Sequence, residues 1–501
     1  MDDDTKTPAD PETPASDEPA APTLSRRDLL RAGVVTAIAV AVPGCGDGAL
    51  GADGGIAPGD AARLDGGELP GDDAGPELLD AGPTVEQVPP PEATPESALF
   101  DMGVASGDAT ATAAILWAHH GGSEPLEAVV WEMDGITYVR TAYVGEAVLE
   151  GGFAHVEVTG LTAGARYRYA FYEAGRAARS PIGQLRAALA DDALEPLVIG
   201  AVSCVSNSRD IPTLAHAGAR TDLDLFLFLG DSTYNDGAES ADEYRAKWST
   251  NLTRPEYRAA RGAASALCTW DDHEFDNDFD PESMPAAQRD AAVAAFFQHQ
   301  PLRRDAASPD RVWKRMRWGA TLEVFVLDCR SERLPSTRRT AEAQYLSRAQ
   351  MDWLKAGLVD STAVFKLILN SVPISDMPGA FDLQPQDRWE GYAAQRTEIL
   401  EHIDAEAIPG VLWVAGDFHL ASLGKVGVAG APGATQTEVL VGPGAQTGNP
   451  LAAFLNEPQF SFSTTTNNYA VLFLDPVAAE IEVRWVAGDG DVIETATIAL
   501  G

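Results

Sequence analysis

Metal-capable side chains follow several short apolar runs in the second half of this 501-residue chain. They are Cys204 after residues 196–202, Asp231 after 223–229, Asp271-Asp272-His273-Glu274 after 267–270, Asp328 after 322–327, Asn370 after 365–369, and Asp417 and His419 after 411–415. A single Asp in such a place is usually a helix cap. Together, these ends indicate a site where two metal ions hold a phosphate and activate a water for in-line attack.

The elements that must position these side chains alternate between strand and helix. Helical patterns over 341–359 and 392–403 lie between the apolar runs. This alternation predicts an α/β fold in which helices cover a sheet. Ligands gather at the carboxyl ends of strands in such folds, so the side chains are expected to converge there.

The region 96–188 has a different pattern, with short runs that alternate apolar and polar residues. Tyr167, Tyr169 and Phe171 share one face of a predicted strand, and Gly160-Leu161-Thr162-Ala163-Gly164 predicts a turn before it. Several short strands at this spacing indicate a small β-sandwich. The turn and strand together are similar to a fibronectin type III corner. No other ligand type clusters beside His119 and His120, so they are interpreted as surface histidines.

The N-terminal part contains an export signal. Residues 25–31, Ser-Arg-Arg-Asp-Leu-Leu-Arg, are typical of a twin-arginine signal, and the apolar run 32–42 is too short to span a bilayer. Cys45 after Pro43-Gly44 looks like a lipobox, so either lipidation at Cys45 or ordinary cleavage is expected. Residues 46–95 are rich in Gly, Pro and Asp and predict a disordered tether.

The charge and the cysteine count exclude two classes of protein. A formal charge of −39 repels nucleic-acid backbones, so a non-specific nucleic-acid binder is excluded. Four cysteines do not make a disulfide scaffold. With Cys45 in the signal, at least one of the other three has no intrachain partner, and Cys268 and Cys329 are predicted to be buried thiols.

Several blocks resemble the PhoD family of alkaline phosphatases and phosphodiesterases. Met102-Gly103-Val104-Ala105-Ser106-Gly107-Asp108 with Ile115-Leu116-Trp117 resembles the start of its N-terminal domain. The metal blocks of the family are matched, in order, by Ser203-Cys204, Gly230-Asp231-x-x-Tyr234, Trp270-Asp271-Asp272-His273-Glu274 and Gly416-Asp417-x-His419. Other fitting segments are Arg317-Trp318-Gly319, Leu327-Asp328-Cys329-Arg330, Asn370-Ser371-Val372-Pro373 and Trp389-Glu390-Gly391-Tyr392.

The resemblance covers about residues 98–475 and implies a domain order. The signal occupies 1–45 and the tether 46–95, followed by a fibronectin III-like β domain over 96–188 and a catalytic domain over 194–501. The implied catalytic fold is a metallophosphatase-type β-sandwich core flanked by helices.

The resemblance also implies Fe³⁺ and Ca²⁺ as cofactors, although other divalent metals stay open. Cys204, Asp231 and Tyr234 are implied ligands of the iron, which would colour the protein. Asp417 and His419 would complete the cluster, and Asp272 would be both a ligand and a catalytic residue. On the residues alone, Cys204 remains open as a buried small hydrophobe and Tyr234 as a packing residue.

Other positions have more limited roles in this interpretation. His273 would act as general acid at the leaving oxygen. Asn277 or Asn370 would add a ligand, and the spacing does not choose between them. Asp236-Gly237 stands where a basic residue is expected, so Arg330 and Arg388 are the candidate substrate contacts. The remaining histidines are interpreted as structural, namely His216, His299 and His402.

The function implied is that of an exported phosphoesterase, expected to be a monomer, that hydrolyses phosphate monoesters, diesters or both with a metal-bound hydroxide. The expected partners are the phosphoester, the twin-arginine export machinery and, through a lipid anchor, a membrane; no nucleic acid is expected. The expected location is the periplasm or cell surface. Two alternatives are a phospholipase D-like diesterase acting on lipid head groups and a non-catalytic surface binding lipoprotein.

Overall fold

The computed structural model describes residues 85–381 and 387–500. The twin-arginine signal, Cys45 and residues 46–84 of the tether lie outside the described residues. Among the helices that the structure describes, none combines the length and the apolar character needed to cross a bilayer.

Strands dominate the described part of the chain. They are β1 Val104–Gly107, β2 Ala113–His119, β3 Leu126–Asp134, β4 Thr137–Ala147, β5 Leu149–Glu150, β6 Phe153–Thr159, β7 Arg166–Tyr172, β8 Gly183–Arg186, β9 Leu197–Val202, β10 Leu225–Phe228, β11 Ser265–Cys268, β12 Lys314–Trp318, β13 Leu322–Val326, β14 Phe365–Asn370, β15 Val411–Ala415, β16 Ala421–Lys425, β17 Thr437–Leu440, β18 Phe460–Thr464, β19 Asn468–Asp475, β20 Glu480–Ala487 and β21 Val492–Ala499.

Helices separate the strands of the second half. The α-helices are α1 Pro212–Gly218, α2 Ala241–Leu252, α3 Pro255–Ala263, α4 Ala286–His299, α5 Arg348–Asp360 and α6 Ala393–Ala405. Short 3-10 helices cover Pro91–Ala93, Ala174–Arg176, Pro335–Thr337, Gly379–Phe381, Trp389–Tyr392 and Pro450–Phe454. The helix predicted over 341–359 begins only at Arg348, because the Ser347 side chain caps it by accepting a hydrogen bond from the Gln350 N–H.

Two large sheets pack face to face, as the predicted sandwich core requires. The ten-stranded sheet has the order β21-β20-β19-β9-β10-β11-β1-β2-β6-β5, and the seven-stranded sheet has the order β12-β13-β14-β15-β17-β16-β18. One apolar core joins their inner faces through residues such as Leu227 and Leu472 from the first sheet and Leu367 and Val414 from the second. The α/β fold class is therefore confirmed.

Helices cover the outer face of each large sheet. Trp248 of α2 and Phe296 of α4 pack with Phe226 of β10 in one cluster. On the other side, Leu354 of α5 and Ile399 of α6 pack in a second cluster that includes strands of the seven-stranded sheet. Burying one apolar face of each helix in this way leaves the carboxyl ends of the inner strands open for side chains with chemical function.

The N-terminal strands continue into the larger sheet. β3, β4, β7 and β8 form a separate four-stranded sheet in the order β4-β3-β7-β8. In contrast, β1 pairs in parallel with β11, with Ser106 opposite Ser265. The ten-stranded sheet thus runs across the predicted boundary between the two domains, and that boundary stays a prediction.

Candidate metal centre

The first donor group lies at the carboxyl ends of three strands of the sandwich. Cys204 follows β9, Asp231 follows β10, and His419 follows β15. Their ligand atoms all lie within 4.8 Å of one another, and all three residues are buried. The Tyr234 hydroxyl lies 3.1 Å from Nε2 of His419 and 3.4 Å from Oδ2 of Asp231. The four side chains thus surround one point.

Two further donor groups share carboxylates with each other. Asp231, Asp272 and His273 form one, and Asp271, Asp272 and Asp417 form the next, again with ligand atoms within 4.8 Å. Asp231 belongs to the first and second groups, and Asp272 to the second and third. Shared carboxylates of this kind suit two cations about 3.5–4 Å apart.

The backbone is strained where the donors are held. Among the described residues, ten that are not glycine have a positive φ, and four of them are Cys204 (55°), Asp231 (53°), Asp417 (64°) and His419 (51°). Left-handed backbone at such residues costs on the order of 1 kcal/mol each. Strain concentrated in this way indicates that the surrounding fold imposes the direction of these side chains.

Glu274 fixes the two loops that carry the acidic donors. Its carboxylate accepts hydrogen bonds from the backbone N–H groups of Asp231 (3.0 Å), Ser232 (2.6 Å) and Asp271 (2.8 Å). Burial raises the pKa of Glu274 to about 7, although these N–H groups act in the opposite direction. Sequence reasoning placed Glu274 in a metal block without giving it this clamping role.

His273 lies at the edge of the donor groups. Its Nδ1 is 2.6 Å from Oδ1 of Asp236, and its ring lies 3.9 Å from the Tyr234 ring, centre to centre. Burial lowers the pKa of His273, but the carboxylates of Asp231 and Asp272 outweigh it and raise the pKa to about 10. Asp236, which occupies the place where a base was expected, is therefore the partner that orients His273.

Arg330, a candidate substrate contact, is instead fully buried among carboxylates. Its guanidinium bonds Asp271 at 2.5 and 2.9 Å, Asp387 at 2.9 and 3.0 Å, and Asp417 at 3.2 Å. Arg388 is 4% exposed and donates to the backbone oxygen of Phe381 at 2.7 Å. Binding of substrate by either arginine stays a prediction, since both guanidiniums have protein partners.

The two asparagines predicted as alternative ligands have different surroundings. Asn277 is exposed, and its amide donates to Asp278 at 2.7 Å. Oδ1 of Asn370 accepts from Cys329 Sγ at 2.9 Å and from Trp389 Nε1 at 3.2 Å. A ligand role for either asparagine stays a prediction.

A fourth acidic group was missed by sequence reasoning. Asp272, Asp278 and Asp387 also place ligand atoms within 4.8 Å of one another. Asp278 lies next to Asn277, shortly after the Trp270–Glu274 block, so its position close to a metal block could have indicated it. Asp387 is brought in by a distant loop, and no local pattern in the sequence marks it.

The residues predicted to be structural lie apart from the donor groups. Nδ1 of His299 lies 2.7 Å from the Ala295 backbone oxygen, and Nδ1 of His216 lies 2.7 Å from the Tyr469 hydroxyl. Nε2 of His402 lies 3.3 Å from the Lys355 backbone oxygen. Cys268 and Cys329 are buried free thiols, as expected.

These residues fit bound cations. In the described part of the chain, the buried Oδ1 of Asp231 accepts no hydrogen bond. Burial, and then the Asp231 carboxylate, raise the pKa of the Cys204 thiol and of the Tyr234 phenol. A cation between them would offset both effects. Thiolate, phenolate, imidazole and carboxylate together are donors for a transition metal, and the carboxylate groups suit a hard cation such as Ca²⁺.

Comparison with known proteins supports the resemblance to the PhoD family in both sequence and fold. The model for the PhoD-like phosphatase matches residues 199–468, and the model for the PhoD-like phosphatase N-terminal domain matches residues 86–189. Alkaline phosphatase D of Bacillus subtilis (strain 168) is 26% identical in an alignment of 376 residues that covers 64% of this chain and 64% of that one. The match therefore spans less than two thirds of that relative's length.

Two solved structures share the fold. The structure of PhoD superposes with a TM-score of 0.70 at 20% identity, covering 80% of this chain and 89% of that one. A purple acid phosphatase, PPD1 from yellow lupin (Lupinus luteus) seeds, gives a TM-score of 0.58 at 12% identity, covering 79% and 73%. At these identities the similarity is evidence of fold only.

Proposed function

Because the chain belongs to the PhoD-like phosphatase family, we propose that it hydrolyses phosphoesters with metal cations held at the carboxyl ends of its central strands. The observation that carries this proposal is the sharing of Asp231 and Asp272 among three donor groups whose ligand atoms lie within 4.8 Å. The proposed ligands are Cys204, Asp231, Tyr234, Asp272, Asp417 and His419.

The proposed cofactors are Fe³⁺ and Ca²⁺. When bound, they supply Lewis-acid polarisation of the phosphoryl oxygens and acidify water. Cys204 and Tyr234 would hold the more strongly charged cation, because a thiolate and a phenolate neutralise it directly. Asp272 and Asp417 would hold the other cation, since carboxylate oxygens are the ligands that Ca²⁺ prefers.

His273 is the proposed proton donor to the leaving oxygen. Nδ1 is occupied by Asp236 at 2.6 Å, so the other ring nitrogen is left for the substrate. The Asp236 carboxylate, which is not among the proposed ligands, favours the protonated ring through this hydrogen bond. Loss of the Asp236 carboxylate would leave the contact of His273 with the Tyr234 ring but would weaken the orientation of His273.

The proposed setting is outside the cytoplasm. The twin-arginine sequence and Cys45 support export to the periplasm or cell surface, with a lipid anchor if Cys45 is modified. Preference between monoesters and diesters belongs to the same proposal. Comparing rates on phosphatidylcholine, bis(4-nitrophenyl) phosphate and 4-nitrophenyl phosphate separates it from the phospholipase D-like alternative.

The test is metal content and visible absorption of protein purified through its own export route, together with phosphate release. We expect iron with calcium, and a visible band that disappears in Tyr234→Phe. Asp231→Asn should lose turnover by a factor of about 10³ or more while keeping its melting temperature. Asp352→Asn, at an exposed carboxylate of α5, is the matched control.

Full activity in Asp231→Asn would remove that carboxylate from the site. Colourless protein that contains zinc or manganese would remove Tyr234 from the ligands while keeping a metal phosphoesterase. Purified protein without stoichiometric metal or hydrolysis under any added metal would favour the non-catalytic binding lipoprotein.

A further inference from the structure

The open side of the donor groups can be identified from exposure. Cys204 is 0% exposed, and Asp231 and Asp272 are each 1% exposed. Tyr234, in contrast, is half-buried, and His273 beside it is 8% exposed. Solvent, and therefore substrate, reaches the site past Tyr234 and His273.

Arg209 stands at this opening. Two residues earlier, the Asn207 amide accepts from the Tyr234 backbone N–H at 2.9 Å and donates to its carbonyl at 3.0 Å. The exposed Arg209 guanidinium donates to the Thr447 hydroxyl, next to Gln446, whose side chain lies beside the Tyr234 hydroxyl. Arg209 is thus fixed to the opening from two directions.

The segment that Arg209 contacts lines the site itself. The N–H of Ala445 donates to the Cys204 carbonyl at 3.1 Å, and the N–H of Asn449 donates to the His419 carbonyl at 2.9 Å. Thr447 lies between these two anchors. The guanidinium is therefore placed against a backbone segment that runs from one proposed ligand to another.

Two more cations lie around the opening. Lys247 Nζ donates to the Asp236 backbone oxygen at 3.2 Å, and Arg254 donates to the backbone oxygens of Ser206 and Arg209 at 3.4 and 2.5 Å. Within residues 85–381 and 387–500, no carboxylate forms an ion pair with any of these three cations. The chain has 75 acidic residues against 36 basic ones, so three cations that make no close ion pair around one opening are unexpected.

We infer that Arg209, supported by Lys247, binds a second anionic group of the substrate, on its alcohol side. The inference rests on the proposed function, which places His273 at the leaving oxygen. Substrate enters past His273 and Tyr234, and Arg209 is held beside Tyr234 through Asn207 and Thr447, so the leaving alcohol extends toward Arg209. The substrate class is therefore a phosphoester whose alcohol bears a carboxylate or a further phosphate, rather than a neutral or cationic head group.

The Asp236 carboxylate is already engaged by other groups. It is 43% exposed, but its Oδ1 is 2.6 Å from His273 Nδ1 and accepts the Asn277 N–H at 3.0 Å. An anion at Arg209 would exchange a hydrogen bond to the neutral Thr447 hydroxyl for one to an ionised partner. Hydrogen bonds between ionised partners are about twice as strong as neutral ones.

The test compares two substrates of matched size, 3-phosphoglycerate and glycerol 3-phosphate, which differ in a terminal carboxylate. With the metal-loaded full chain, we expect phosphate release to show a lower KM for 3-phosphoglycerate. In Arg209→Gln, its KM should rise about tenfold, and that of glycerol 3-phosphate by a much smaller factor, because one charge-assisted hydrogen bond is lost. The substitution should leave the kcat of both reactions and the metal content unchanged.

Controls separate charge from structure. Arg209→Lys should recover part of the lost selectivity, and Lys247→Met should reduce it in the same direction as Arg209→Gln. Lys425→Gln is the matched control, because Lys425 is an exposed lysine away from the opening. It is the last residue of β16, about 13 Å along the strand from Ala421, which follows His419 closely in the chain. It should leave both KM values unchanged.

Two outcomes would overturn the inference, namely equal KM values for the two substrates in the wild type, or an equal rise for both in Arg209→Gln. Absence of hydrolysis of every phosphoester by the metal-loaded wild type would instead overturn the proposed function. In that case, calorimetry would measure the binding of the two compounds directly. Equal affinities for both would separately reject the role of Arg209.

Discussion

Replacing Arg330 by leucine tests whether its buried cation balances the acidic site. The side chain is 0% exposed and bonds Asp271, Asp387 and Asp417, with Asp272 at 3.6 Å. Burial raises the pKa of Asp271 to about 8 even though Arg330 acts to lower it. Without the guanidinium, Asp271 and its neighbours would be buried charges of one sign.

Removing one partner of a buried ion pair costs about 3–5 kcal/mol, mostly because the other charge is left unpaired. An unfolding entropy of about 2.1 cal/mol/K per residue gives roughly 0.9 kcal/mol/K for the folded part of the chain. Dividing the loss of stability by this entropy gives an expected fall in Tm of about 3–6 °C. Bound cations would offset part of the repulsion. The fall should therefore be larger in chelator than in the metal-loaded protein.

Differential scanning calorimetry of both forms measures this difference. Arg348→Leu is the matched control, because Arg348 also makes a two-pronged pair, with Glu398 at 2.9 and 3.0 Å, but is 52% exposed. An exposed pair contributes about 0–1 kcal/mol, so its Tm should fall by about 1 °C or less. Equal falls in the two variants, or a fall that chelator does not enlarge, would refute the balancing role of Arg330.

Two further changes test packing away from the site. Burial lowers the pKa of His299 to about 3, so the unfolded chain binds the proton first and stability is lost as pH falls from about 6.5 toward 3. Between pH 7 and pH 5, the free energy of unfolding should fall by about 2 kcal/mol. Urea unfolding of His299→Leu should lack this part of the pH dependence. Gly410→Ala should cost about 3 kcal/mol or more, because its Cβ would lie 1.9 Å from the Val364 carbonyl oxygen at a φ of +74°. Gly430→Ala, at φ +87° with nothing within 4 Å, should cost only about 1–2 kcal/mol, and similar losses for the two would contradict the clash.

Local patterns in the sequence predicted the strand ends that meet at the site. Cys204 and Asp231 follow apolar runs that become β9 and β10, parallel neighbours in one sheet, so periodicity alone could place these two donors near each other. His419 follows β15 of the other sheet, and its place beside them depends on how the two sheets pack. Periodicity could not assign the partners of Arg330, because Asp271 and Asp387 lie 59 and 57 residues away in the sequence and their contacts depend on loop paths.

The domain organisation shows the same limit. Alternation in 96–188 predicted short strands, and strands are present there. The parallel pairing of β1 with β11 depends on edge groups that carry no sequence signal of their own. Asp236 illustrates the point for a side chain: by type it was a departure from the expected base, and only its 2.6 Å contact with His273 gives it a role.

The charges of the site favour the proposed cations beside the buried arginine. Its donor groups contain the six carboxylates of Asp231, Asp271, Asp272, Asp278, Asp387 and Asp417. Arg330 and Arg333 both pair with Asp387, so six carboxylates face two guanidiniums. With all six ionised, the remaining four negative charges exceed what one divalent ion neutralises, which favours two cations. Arg330 lies on the side of Asp271 and Asp387, where bidentate bonds fix the geometry, and the strained residues Cys204 and Asp231 are left for the proposed cations.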